Sequence, residues 1–142
     1  MTIINCSITY EPDPQADDLL VLNAGLSEYA KNKRDMKAVD SFAYFIRDNS
    51  DKILGGCAGD NFYGCLYIGK LWVEELLRGK GYGTKLIQLA EELAVKNRST
   101  FIAVNTFDWQ ALDFYKKFGF YVEFERTGFD KNSIFYFLRK NL

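Results

Sequence analysis

Residues 78–85 read RGKGYGTK, three glycines and three cationic side chains in eight positions, four residues after the apolar run CLYIGKLWV. A strand that enters a glycine-rich turn and then a helix aims successive backbone N–H groups and the positive end of a helix dipole at one point. That arrangement holds a phosphate without a broad basic surface. Spacing separates the possible cradles. A P-loop needs G-x-x-x-x-G-K-[ST], whereas Lys85 here follows Thr84. The dinucleotide pattern G-x-G-x-x-G fails as well, because Gly83 comes one residue early and Thr84 stands where the last glycine belongs. What remains is R-G-x-G-x-G, and a nucleotide-binding protein built on this turn is disfavoured.

The chain has no histidine. Ser-His-Asp and Cys-His nucleophilic catalysis and His-ligated metal sites are therefore excluded, and acid-base work falls to Glu, Asp, Tyr, Lys, Cys or water. Cys6, Cys57 and Cys65 are odd in number and form no C-x-x-C pair, which suggests neither a disulfide framework nor a zinc knuckle and fits a reducing cytoplasm. Cys65 opens an apolar strand with no evident basic neighbour, so it reads as a buried structural thiol. Trp72 and Trp109 read as packing residues, with Trp72 a possible border of an acceptor pocket.

Eighteen basic against nineteen acidic residues give a formal charge of -1, which argues against a general nucleic-acid binder and makes any anion site local. No signal peptide and no apolar run of bilayer-spanning length is evident, so a soluble cytoplasmic protein is expected. With 142 residues, 48% of them hydrophobic, one well-packed domain spanning 1–142 is expected.

These residues need elements to position them. TIINCSITY (2–10) reads as a strand closed by a proline turn, and QADDLLVLNAGLSEYAKNK (15–33) as helix, with Leu19, Leu22, Leu26 and Tyr29 at helical spacing and Gly25 a point of division. SFAYFIRD (41–48) and KILGGCAGD (52–60) form a hairpin pattern, and GCLYIGKLWV (64–73) is a central strand covered on both faces. Residues 84–95 are the clearest helix, 99–106 a strand, 109–118 a short helix closed by Gly119, and 120–127 and 133–139 two final strands. The order predicts an α/β (α+β) domain with one parallel crossover.

On these residues the chain resembles the GCN5-related N-acetyltransferases (GNAT). Their signature [RQ]-x-x-G-x-[GA] is matched by Arg78, Gly81 and Gly83, and ALDFYKKFGF resembles their A-x-x-F-Y-x-K-x-G-F segment through Ala111, Phe114, Tyr115, Lys117, Gly119 and Phe120. Asp108 departs from the asparagine many members carry before the short helix. The resemblance implies a GNAT-like acyl-CoA N-acyltransferase fold, a central mixed, mostly antiparallel sheet flanked by helices. It implies acetyl-CoA as co-substrate, no metal, and direct acetyl transfer to a primary amine of a small molecule or peptide in a ternary complex. The CoA pyrophosphate is then expected on the turn of Arg78, Gly79, Lys80, Gly81, Tyr82, Gly83 and Thr84. Pantetheine is expected along Leu71, Trp72 and Val73, with Phe114, Tyr115 and Lys117 beyond. Tyr115 is the expected general acid for the departing thiolate, although Phe114, Tyr115 and Phe118 also read as core aromatics. Glu74 is the first choice of base, ahead of Glu75 and Glu28. The alternative is a non-catalytic acyl-CoA-binding regulatory module. Neither nucleic acid nor membrane is an expected partner, and exposed strands near the C-terminus leave a homodimer open.

Overall fold

A computed structural model describes residues 4–142. The chain divides into two compact units, the first ending at Ala38 and the second running Val39–Leu142. The second unit opens with β1 (Asp40–Arg47) and β2 (Ile53–Phe62), the expected hairpin, in which Tyr44 faces Cys57 across an antiparallel ladder. Asp48 closes the turn: its carboxylate accepts the N–H groups of Ser50 (2.8 Å) and Lys52 (3.0 Å). β3 (Cys65–Val73) returns antiparallel to β2, α2 (Tyr82–Lys96) crosses over, and β4 (Phe101–Phe107) lies parallel to β3. Then come α3 (Leu112–Lys117), β5 (Tyr121–Arg126) and β6 (Phe135–Asn141). The six strands stand in the order β1-β2-β3-β4-β6-β5, a mixed and mostly antiparallel sheet as expected.

The core follows from the two periodicities. Ile102, Val104 and Thr106 alternate into it from β4, and Leu86, Ile87, Ala90 and Ala94 reach it from one face of α2. Cys57, Leu66, Ile68, Tyr115, Phe120 and Leu138 complete the cluster. β3 departs from expectation, since Cys65, Leu66 and Ile68 are buried while Gly69, Lys70 and Trp72 are exposed. Pairing of β3 with β4 ends at Ile68↔Val104, so the far half of the strand loses that neighbour. α3 is shorter than the 109–118 pattern because residues 109–111 form a turn, and Gly119 (φ 90°) ends the helix in the left-handed conformation.

Among the described residues the first unit holds one helix, α1 (Ala16–Arg34), which runs unbroken through Gly25. Asp17 and Asp18 in its first turn and Lys31, Lys33 and Arg34 in its last match the helix dipole, offsetting the weak propensity of one glycine. The strand expected over 2–10 is not formed in residues 4–10, which belong to no ladder; residues 2 and 3 lie outside the described residues. Alternation of apolar residues marks a segment able to pair, and a strand exists only where a partner edge completes its hydrogen bonds.

Candidate active site

Past Ile68 and Val104, β3 and β4 separate, and a cavity of about 940 Å³ opens at the split. One wall is the end of β3, with Leu71, Trp72 and Val73. The ladder fixes how that wall is turned. Glu74 donates its N–H to the Leu54 carbonyl at 2.7 Å, so the neighbouring pair Gly55↔Val73 is of the non-hydrogen-bonded kind. The Val73 N–H and C=O consequently point away from β2, and so do those of Leu71 two residues earlier. The Arg78 side chain agrees, donating its Nε–H to the Val73 carbonyl at 2.9 Å.

The floor is the glycine turn. Gly79 (φ 73°) and Gly81 (φ 88°) are left-handed, and Gly81 is the N-cap of α2 with no side-chain cap and no acidic residue in the first turn. No N–H from Gly79 to Thr84 has a partner among the described residues; the first α2 bond is Lys85 N–H to the Gly81 carbonyl at 3.0 Å. Six consecutive free amides at a helix N-terminus require an anion or water. Gly83 lets this floor meet the far wall, since a Cβ there would stand 3.1 Å from the Phe114 ring.

The far wall is the loop between β4 and α3 and the start of α3, Asp108 to Phe114. Its shape comes from local capping: Gln110 Oε1 accepts the Phe107 N–H (2.9 Å), and Thr106 Oγ1 accepts the Ala111 N–H (3.1 Å). Tyr115 sits behind Phe114, edge-on to it (5.3 Å) and to Phe120 (5.6 Å). Burial first, and the nearby Cys57 second, push its phenol up to about 12. Its hydroxyl has no hydrogen-bond partner, yet no buried side-chain oxygen is left unpartnered among the described residues, so that oxygen reaches accessible space.

Of the residues singled out in the sequence, the cleft gathers Leu71, Trp72, Val73, Arg78, Gly79, Gly81, Tyr82, Gly83, Thr84 and Phe114. Lys80 and Lys117 are exposed outside its lining, Glu74 is half-buried one residue beyond it, and Tyr115 backs it. Glu75 is exposed at the head of a 3₁₀ turn (Glu75–Leu77), and Glu28 lies on α1 in the first unit. Cys65 is buried as expected, with burial raising its thiol pKa, and Cys57 is pushed up to about 11 by burial. Trp109 and Trp72 are not core residues: they are 67% and 50% exposed and line the cleft. Asp108, noted in the sequence only as a departure from asparagine, and Asp113, which residue spacing did not single out, are both cleft carboxylates. Among the described residues no group of His, Cys, Asp and Glu could hold a metal ion, and no helix is long and apolar enough to cross a membrane.

Split parallel strands, an open strand edge and a glycine turn with free amides thus meet at one cleft. Residues 8–120 match the model of the Acetyltransferase (GNAT) family, and the chain belongs to that family. It is 34% identical over 89 residues to Acetyltransferase Atu2258 of Agrobacterium fabrum (strain C58 / ATCC 33970), covering 63% of this chain and 61% of that protein's length. The chain thus spans about three fifths of that curated relative. A crystal structure of an acetyltransferase from Bacillus cereus ATCC 14579 superposes with a TM-score of 0.75 at 23% identity, covering 94% of this chain and 98% of the other. An aminoglycoside 6'-N-acetyltransferase complexed with coenzyme A superposes with a TM-score of 0.62 at 17% identity, covering 85% and 91%.

Proposed function

We propose that the chain, acting as one domain over 1–142, is an N-acetyltransferase that moves acetyl from acetyl-CoA to a primary amine in a ternary complex. The observation that carries this reading is the run of free N–H groups from Gly79 to Thr84 at the mouth of the split. Family membership and the CoA complex of the aminoglycoside acetyltransferase support it. The pyrophosphate is held by those amides, with the Arg78 and Lys80 charges near it. Pantetheine lies along Leu71–Val73 as an added strand, and Phe114 and Lys117 border the nucleotide portion.

The reaction follows from these placements. A neutral amine nitrogen attacks the thioester carbonyl carbon, the C–N bond forms, and the oxygen's negative charge is met by the Val73 N–H. The C–S bond breaks and the electron pair leaves on sulfur, where the Tyr115 hydroxyl donates a hydrogen bond. Before attack the ammonium gives one proton through water to Glu74, the half-buried carboxylate next to Val73, which makes the nitrogen neutral, and the second proton leaves the nitrogen to water once the C–N bond has formed. Replacing Glu74 by Gln should lower kcat/KM about ten-fold at pH 7, and the deficit should shrink as pH approaches the amine's own pKa near 10. A deficit constant with pH would remove Glu74 as base.

The melting temperature with saturating acetyl-CoA, CoA, ATP and NAD tests the whole reading. A ligand at one hundred times its Kd stabilises the fold by about 2.7 kcal/mol. A rise with acetyl-CoA and CoA only, followed by thiol release when amines are added, is the expected result. No rise with either CoA species overturns the proposal, and a rise without thiol release from any amine marks a regulatory acyl-CoA module.

A further inference from the structure

Beside the cleft lies a second cavity of about 680 Å³, bordered by Phe107, Asp108, Trp109, Phe129, Asp130 and, at its rim, Lys131 and Ser133. Two cross-bridges build it. The Asp108 carboxylate accepts the Ile134 N–H at 3.1 Å, and the Trp109 indole N–H donates to Ser133 Oγ at 3.1 Å, tying the loop after β4 to the loop before β6. The aromatic walls are ordered against each other: Trp109 stacks on Phe107 (5.4 Å, 9°), and Phe129 meets Phe107 edge-on (5.1 Å). Lys131 (φ 57°) and Asn132 (φ 55°) hold left-handed backbone on the rim, a conformation that side chains other than glycine rarely take and that clusters at functional loops.

Aromatic faces flanked by two carboxylates and one lysine leave one excess negative charge, the chemistry that takes an organic ammonium. Asp108 and Trp109 border both cavities, so one extended molecule can occupy the two. We propose that this pocket holds the distal ammonium of an α,ω-diamine acceptor, its methylene chain lying over Trp109 and its other amino group reaching the thioester. A carboxylate-bearing acceptor would oppose Asp108 and Asp130, and a simple monoamine would leave the pocket unfilled. This inference rests on the acetyl-transfer reading of the cleft.

The experiment compares cadaverine with 5-aminopentanol and 5-aminovalerate, three chains that differ only at the distal end, by thiol release from acetyl-CoA. Cadaverine should exceed 5-aminopentanol in kcat/KM by about five-fold or more, with 5-aminovalerate lowest. Asp130→Asn and, separately, Phe129→Ala should narrow that gap through KM while the CoA-induced melting shift stays as in the wild type. Equal kcat/KM for cadaverine and 5-aminopentanol, or a gap untouched in both variants, overturns the proposal. Failure of the transfer reading is read separately: Trp72→Phe leaves Trp109 as the sole tryptophan, and cadaverine added to it should change Trp109 emission where 5-aminovalerate does not. No cadaverine-specific change in emission overturns the pocket assignment even if CoA binds and acetyl is transferred.

Discussion

Tyr115→Phe is expected to lower kcat by about 10²-fold while leaving the Kd of CoA within about two-fold, read by single-turnover thiol release and by isothermal titration with CoA. The phenol is buried behind Phe114 with its oxygen reaching accessible space, so the change removes one polar atom and leaves the packing in place. The raised phenol pKa shapes the role. With the phenol at about 12 and a thiol near 8.5, outright transfer of the proton to the leaving sulfur is uphill by roughly 5 kcal/mol. In the proposed reaction Tyr115 would therefore serve, in place of the expected general acid, as a hydrogen-bond donor that stabilises charge growing on sulfur. Because its pKa is raised above the ordinary 10, its neutral form contributes stability that is complete below pH 10 and is lost as pH climbs toward about 12. The Phe variant should lack that alkaline loss. An unchanged single-turnover rate would take Tyr115 out of the reaction.

Gly83→Val should weaken CoA by about 10²-fold and lower the melting temperature only modestly. A Cβ at residue 83 would stand 3.1 and 3.2 Å from two carbons of the Phe114 ring, before the two γ-methyls are counted. Phe114 has little room to retreat, because Tyr115 (5.3 Å) and Phe118 (5.0 Å) pack edge-on against it. The helix N-terminus must then swing away from the far wall or carry the ring into the cleft. Either movement spoils the amide floor, and two lost hydrogen bonds to a charged phosphate account for a decrease of this size. Lys80→Ala is the contrast, at no more than about five-fold, since its exposed ammonium acts through solvent. CoA binding by Gly83→Val at the wild-type Kd would place the pyrophosphate elsewhere.

Much of the cleft was legible because its parts are local. Gly79 and Gly81 have a conformational reason to be glycine that does not depend on distant contacts, whereas Gly83 is explained only by the Phe114 ring that closes on it, and the alternating and helical periodicities placed strand, turn and helix around them. Positions whose meaning depends on a partner were read less well. Trp109 looked like packing because tryptophan is usually buried, yet a turn shortened α3 and left the indole exposed on Phe107. Residues 4–10 have strand composition and no ladder.

By itself the sequence determined the order of elements, the glycine floor, the absence of histidine chemistry and the family of the fold. Each of these is carried by residues within a few positions of one another, or by composition. Only the tertiary structure decided where β3 and β4 part, which amides of β3 face the gap, and that Asp108 and Trp109 belong to two cavities at once. Those features depend on ladder register and on loops joined across 26 or 24 positions, as in the Asp108–Ile134 and Trp109–Ser133 bridges, and register is set by packing between elements rather than along them.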